Sequence, residues 1–169
     1  MVEGFDYVWE RHLDRIAGLD DEEFLWEPVP ECWSVHTGQA GRGQLDGTWP
    51  SPEPPPITTI AWRIGHIGVA VGGFADRLFG EGKMTVTEMD FPSKVAHVPT
   101  FYEDLATTWR NGIAGLDDVQ WWSKLGQAWG PYAESNHVDL ALHVYDEVVH
   151  HAAEVALLRD LYSRRSELG

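Results

Sequence analysis

The stretch HVYDEVVHHAAE, residues 143–154, lies in the middle of the longest segment with helical periodicity in this chain. This segment runs roughly from Asn136 to Arg164, and its apolar residues recur at the spacing of one helix face. Glu147 and His151 are four residues apart, so their side chains lie on one face, about one turn apart. The stretch therefore predicts a long helix with ionisable groups on its buried face. That inward face comprises Leu140, Val144, Glu147, His151, Glu154, Leu158 and Leu161.

Three further helices are predicted from apolar residues at helical spacing, roughly over residues 4–19, 58–80 and 100–116. No segment shows the alternation of period two that is typical of strands. Residues 27–57 hold most of the prolines, so we expect a long irregular loop between the first two helices. The pattern predicts an all-α protein, a four-helix bundle that forms a single domain over residues 1–169.

The composition excludes several classes of partner. The chain has 169 residues and a formal net charge of −15, which repels phosphate backbones and anionic membrane surfaces. We therefore expect no nucleic-acid partner and no membrane partner. The first residues lack the basic-then-apolar order of a signal peptide, and no apolar run approaches the ~20 residues of a membrane span. Cys32 is the single cysteine, so no internal disulfide can form and a cytoplasmic location is expected.

A candidate metal site combines the last helix with the second. His66 lies in the apolar stretch IAWRIGHIG, residues 60–68, and can face Glu147 and His151 from there. Two imidazoles and one carboxylate are the ligands of an open Zn²⁺ site, in which water or substrate takes the remaining position. A histidine on an apolar helix face is more often a hydrogen-bonded core residue. The placement of all three groups on buried faces favours the metal site.

The ligand set has an alternative. His150 precedes His151, and without a known helix phase a trio of His66, Glu147 and His150 is also possible. Whichever histidine binds, the other is expected beside the site.

Glu154 is expected to support the site from behind. It lies within one turn of His150 and His151, where it can accept the free ring N–H of a ligand histidine. The alternative is that Glu154 pairs with Arg159 or Arg77.

Aromatic and imidazole side chains are expected around a pocket at this site. Trp62 and His143 each lie one helical turn from a candidate ligand, and we expect both to line the pocket. Trp33 and Trp49 of the long loop are expected to cover it.

Three segments together resemble the DinB-like superfamily. They are WEPVPECWSV at residues 26–35, IAWRIGHI at 60–67 and EVVHHAAEVALLRDLY at 147–162. The resemblance extends from the first helix to about Tyr162. That superfamily includes mycothiol-dependent maleylpyruvate isomerases and bacillithiol S-transferases.

The resemblance implies a fold and a ligand set. The bundle would run up-down-down-up and often forms a homodimer. A divalent metal would be held by His66, Glu147 and His151, similar to the His-Glu-His set of the isomerases. Zn²⁺ is the first expectation, with Ni²⁺, Mn²⁺ and Fe²⁺ as alternatives. The isomerases carry a further domain after the bundle, so isomerase activity is not expected of these 169 residues.

Two main functional hypotheses follow. The first is a metal-assisted S-transferase that joins a low-molecular-weight thiol, such as mycothiol or bacillithiol, to a small electrophile. The second is a non-catalytic metal-binding or stress-response bundle whose coordination is closed by His143 or His150. A metal-dependent hydrolase is a third alternative.

Overall fold

The computed structural model of the protein describes residues 1–38, 41–48 and 50–167. It contains six α-helices, one antiparallel pair of short strands and three 3₁₀ turns among those residues. The helices are α1 (Val2–Ile16), α2 (Asp21–Phe24), α3 (Ile60–Phe79), α4 (Val98–Ala114), α5 (Asp118–Trp122) and α6 (His137–Ser163). The strands are β1 (Val35–Thr37) and β2 (Gly43–Leu45), and the 3₁₀ turns are Val95–His97, Gln127–Tyr132 and Arg165–Glu167.

The predicted all-α class is confirmed, and the four long helices α1, α3, α4 and α6 form the bundle. Their ends follow from local chemistry. The hydroxyl of Thr59 accepts from the backbone N–H of Trp62 and caps α3, while Asn136 and Asp139 form a capping box at the start of α6. The first helix ends at Ile16 rather than residue 19, because Ala17 adopts a ψ of 135° and forms a type II turn with Gly18, whose φ is +75°. The up-down-down-up order stays a prediction.

The long loop over residues 27–57 is irregular over most of its described length, as expected, but β1 and β2 pair within it. Val35 lies opposite Leu45, and Gly43 opposite Thr37. Gly43 lies against the backbone of Phe91, whose N–H donates to the Gly43 carbonyl at 3.1 Å. A Cβ atom at Gly43 would lie 1.8 Å from the Phe91 oxygen, so only glycine fits this contact. Residues 33–38 and 41–48, together called the hairpin segment below, are thereby bonded to the connection between α3 and α4.

The core lies where α3 packs against α4 and α6. Four residues of the predicted inward face of α6 are buried, whereas Glu147, Glu154 and Leu161 are half-buried. The two carboxylates therefore lie at the edge of the core. No helix of the described residues is long and apolar enough to cross a bilayer. The fully buried side chains that fill the core include Phe5, Phe24, Ile64, Ile67, Trp109, Ile113, Val144 and Val148.

A buried polar chain crosses the core beside these residues. The Tyr102 hydroxyl donates to the Ile64 carbonyl at 3.1 Å, and the His12 Nε2 atom lies 3.0 Å from the same hydroxyl. Because the hydroxyl proton is used by Ile64, His12 Nε2 must donate. The His12 Nδ1 atom is buried without a hydrogen-bond partner among the described residues. Burial lowers the pKa of His12 to about 4, so this ring is neutral at pH 7.

Candidate metal centre

His66, Glu147 and His151 are brought together by the contact of α3 with α6. The Nε2 atoms of His66 and His151 each lie 3.2 Å from the same oxygen, Oε2 of Glu147. The two imidazole rings meet edge to face, with centroids 4.6 Å apart. Ligand-capable atoms of the three residues all lie within 4.8 Å of one another. The trio could therefore hold a metal ion, and we call it the metal trio below.

The proton on His151 is assigned by its other neighbour. Its Nδ1 atom lies 2.6 Å from Oε2 of Glu154 and 3.1 Å from Nη1 of Arg63, and the shorter contact is at a distance at which a ring N–H donates to a carboxylate. A neutral imidazole carries one proton, so Nε2 then presents a lone pair. That lone pair faces the Glu147 oxygen, another acceptor, at 3.2 Å. Two acceptors repel each other at this distance unless a cation, either a proton or a metal ion, lies between them.

The two separations between Glu147 and the histidines fit a metal ion. In a tetrahedral site with ligand bonds of about 2.0–2.2 Å, neighbouring ligand atoms are about 3.3 Å apart. Both 3.2 Å separations to Glu147 agree with that value. The side chains of His66 and Glu147 keep 34% and 23% of their surface exposed, so a further ligand can reach the site from solvent. Contact with His151, and next with His66, holds the pKa of Glu147 well below its usual range despite partial burial.

Comparison with known proteins identifies the family of this chain. The family model of the DinB superfamily matches residues 5–155, which include the whole metal trio. This chain belongs to the DinB superfamily. Comparison with curated proteins and with solved structures gives no significant match.

Within this DinB-superfamily bundle, the structure places His151 rather than His150 in the trio with His66 and Glu147. His151 is buried, whereas the His150 side chain is 60% exposed. The His150 ring stacks on that of His151, and its Nε2 atom lies 3.5 Å from Glu154. His150, His151 and Glu154 form a second group that could hold a metal, but it shares His151 with the trio.

Glu154 contacts His151 beside the trio, as the sequence predicts. Its cationic partner is neither Arg159 nor Arg77. Its Oε2 atom accepts from Nη1 of Arg63 at 3.0 Å as well as from His151. Arg159 instead forms a salt bridge with Glu23 at 2.8 Å, and Arg77 donates to a backbone carbonyl. Arg63 thus supports the carboxylate that orients His151.

Sequence reasoning missed Arg63, although a signal was present. Arg63 lies three residues before His66 on the apolar helix α3, where a charged residue needs a partner. Burial lowers its pKa and Glu154 opposes that effect, so the guanidinium remains charged.

The predicted pocket residues have different surroundings. Trp62 is buried and stacks on the His66 ring at 4.8 Å with an interplanar angle of 11°. His143 is half-buried, with Nε2 3.9 Å from Oε1 of Glu147. Trp33 packs against Trp62 with centroids 5.9 Å apart, while Trp49 lies outside the described residues.

Proposed function

We propose that this DinB-superfamily protein binds one divalent metal ion, Zn²⁺ first, through His66, Glu147 and His151. One observation carries the proposal: a ring nitrogen whose proton is fixed elsewhere faces a carboxylate oxygen at 3.2 Å. A cation relieves that repulsion and completes the coordination that two histidines and a carboxylate provide. Ni²⁺, Mn²⁺ and Fe²⁺ are the alternatives, because the same ligands bind them as well.

We further propose that the protein uses this ion in thiol transfer to small electrophiles. A divalent ion with an open position lowers the pKa of a thiol that reaches it, which supplies a thiolate at neutral pH. The protein's contribution is electrostatic. Glu147 cancels only one of the two positive charges, since both histidines bind as neutral rings and Glu154 is paired with Arg63. The remaining positive charge favours an anionic sulfur over a neutral ligand.

The transfer itself joins the thiol sulfur to an electrophilic carbon. A new S–C bond forms while a halide leaves or an epoxide C–O bond opens. The thiol proton passes to solvent, and the oxygen of an opened epoxide takes a proton from solvent. The co-substrate we expect is a low-molecular-weight thiol such as mycothiol or bacillithiol. The exposed third of the His66 side chain lies at the entry to the site.

The first experiment tests the metal. Protein purified without a His-tag and without added metal is analysed by elemental analysis, beside the variants His66→Ala and His97→Ala. We expect about one equivalent of divalent metal in the parent, a loss in His66→Ala and no loss in His97→Ala, because His97 is exposed and belongs to neither group of possible metal ligands. No metal in the parent, even after reconstitution with Zn²⁺, would overturn the proposal.

The second experiment tests the chemistry. Metal-loaded and metal-stripped parent are incubated with mycothiol or bacillithiol and a panel of halides, epoxides and activated alkenes. We expect loss of free thiol only with the loaded protein. Equal rates with and without metal across the panel would refute the transferase.

The second candidate function is a closed, non-catalytic metal site. It is favoured by His143, whose Nε2 atom lies 3.9 Å from Glu147 and whose ring packs edge-on against Phe74. If His143 completes the coordination, His143→Ala lowers zinc affinity as strongly as His66→Ala. If the fourth position is open, zinc affinity of His143→Ala stays within a few-fold of the parent.

We also propose that the protein forms a homodimer, as the DinB resemblance implies. Three apolar side chains on the outer surface of α6 support it: Leu142, Val149 and Leu157 are 54%, 48% and 58% exposed. Their spacing of seven and eight residues places them on one stripe of the helix. Light scattering should give the mass of a dimer for the parent and of a monomer for Val149→Glu. A monomeric parent would contradict the proposal.

A further inference from the structure

The hairpin segment is linked to a residue of the metal trio through Trp62. The indole Nε1–H of Trp62 donates to the backbone carbonyl of Asp46 at 2.8 Å. One turn further along α3, His66 lies flat against the same indole ring, with centroids 4.8 Å apart. The position of Asp46 therefore determines the position of the Trp62 indole ring, which supports the His66 ring.

Asp46 is itself fixed within the hairpin segment. Its Oδ2 atom accepts from the backbone N–H of Ser34 at 2.9 Å and lies 2.7 Å from Nε2 of His36. Its own N–H donates to the Ser34 carbonyl at 3.0 Å. These bonds join Asp46, which directly follows β2, to residues at the start of β1. The Asp46 carbonyl that accepts from Trp62 therefore belongs to the paired strands and not to a free loop.

The indole ring has little freedom apart from this bond. Trp62 is only 9% exposed. The Arg63 guanidinium lies 5.1 Å from its ring centroid, and the Trp33 ring lies 5.9 Å from it. Trp62 is therefore held by neighbours on more than one side. Its indole ring is buried between the hairpin segment and His66.

A second contact joins the hairpin segment to α3 immediately before His66. Gly65 has no side chain, and a Cβ atom there would lie 2.8 Å from Leu45 Cδ1. Leu45, the last residue of β2, therefore packs directly on the α3 backbone. The hairpin segment thus touches α3 one residue and four residues before His66.

We infer that the hairpin segment sets the metal affinity of the trio. Trp62 is the positioning residue, because it is bonded to the Asp46 carbonyl and supports the His66 ring. This inference rests on the proposed function, because it concerns the affinity of the same site. Ordering of the hairpin segment strengthens metal binding. By the reciprocity of linked equilibria, metal binding orders the hairpin segment to the same extent.

A double-mutant cycle tests the path. Zinc affinity is measured by competition with a chromophoric chelator for the parent, Trp62→Phe, Asp46→Ala and the double variant. Trp62→Phe keeps a ring beside His66 but loses the N–H donor, so we expect a loss of roughly 2- to 10-fold, the effect of one hydrogen bond. Asp46→Ala should weaken binding in the parent but not further in Trp62→Phe.

The controls separate transmission from general damage. Trp122→Phe changes a 70% exposed tryptophan on α5 and should leave zinc affinity unchanged. Far-UV circular dichroism and melting of the metal-free variants establish that the bundle is intact. If Trp62→Phe melts much earlier than the parent, Asp46→Ala alone, which leaves the core untouched, tests the same prediction through its zinc affinity.

Hydrogen exchange tests the reciprocal effect without any assay of activity. The amides of Ser34 and Asp46, both bonded within the hairpin segment, should exchange more slowly when Zn²⁺ is added to the parent. In Trp62→Phe the same addition should change them little. Zinc binding with unchanged exchange, or additive effects in the cycle, would overturn this inference alone. Absence of zinc binding by the parent would overturn the proposed function and this inference with it.

Discussion

Replacement of the buried His12 should make the stability of this protein less sensitive to acid. His12 is 1% exposed, and its Nε2 atom is committed to the Tyr102 hydroxyl. A second proton would have to go to Nδ1, which is buried without a partner among the described residues. The folded protein therefore binds this proton only near pH 4, whereas the unfolded chain binds it near pH 6.5.

The magnitude follows from the two pKa values. Between pH 6.5 and about 4, the unfolded state binds a proton that the folded state does not, so the free energy of unfolding falls as the pH falls. At about 1.36 kcal/mol per pH unit, the full effect is roughly 3 kcal/mol. At pH 5 the loss relative to pH 8 is already roughly 2 kcal/mol. Above pH 6.5 both states are neutral at this residue and the effect vanishes.

Urea unfolding measures this difference directly. The free energy of unfolding is determined from far-UV circular dichroism at pH 8, 7, 6 and 5 for the parent, His12→Gln and His97→Gln. A chelator is present throughout, so that metal release does not contribute. Other titrating groups are common to all three proteins and cancel in the comparison. His97 is exposed, so its replacement controls for the loss of one histidine.

We expect the parent and His97→Gln to lose roughly 2 kcal/mol more than His12→Gln between pH 8 and pH 5. Parallel losses in all three would refute the reasoning. If His12→Gln does not fold, the ring of His12 is titrated in the parent by NMR. A midpoint near 4 supports the argument, and a midpoint near 6.5 contradicts it.

Two further predictions concern the metal site and the hairpin segment. Glu154→Gln should lower zinc affinity roughly 10- to 100-fold, because His151 loses the anionic partner that orients it, and equal affinity in chelator competition would contradict this role. Gly43→Ala should lower the free energy of unfolding by roughly 1–3 kcal/mol, because its Cβ would meet the Phe91 oxygen at 1.8 Å. Gly47→Ala, which meets nothing within 4 Å, is the matched control, and equal urea midpoints for both variants would show that the contact is unimportant.

The helices could be predicted from the sequence because their signals are local. Thr59 and Asn136 are capping residues, and both begin helices within a residue or two of the predicted positions. The hairpin segment was missed because its strands are three residues long, too short to show alternation, and because Gly43 is explained only by Phe91, far along the chain. Strand pairing of this kind depends on tertiary contacts that no short window contains.

Part of the candidate site could also be predicted, because its signal is local. Four residues separate Glu147 from His151, so helical spacing alone places them together, and His66 could be added because it shares an apolar face. The choice of His151 over His150 needed the phase of α6 against α3, which packing determines. Asp46 was beyond prediction, because it acts through a backbone carbonyl that any residue could have supplied.

The two carboxylates of the site have different tasks because different cations face them. Glu154 is paired with Arg63 and accepts a hydrogen bond from Nδ1–H of His151, which leaves Nε2 as the nitrogen with which that ring can bind. Among the residues that the structure describes, no arginine or lysine forms a salt bridge with Glu147, which faces the imidazoles of His66 and His151 at 3.2 Å and that of His143 at 3.9 Å. Its charge is therefore balanced either by a proton on a ring or by a metal ion that replaces that proton. A proton and a metal ion compete for the same position, so metal uptake by this bundle should release protons and weaken as the pH falls.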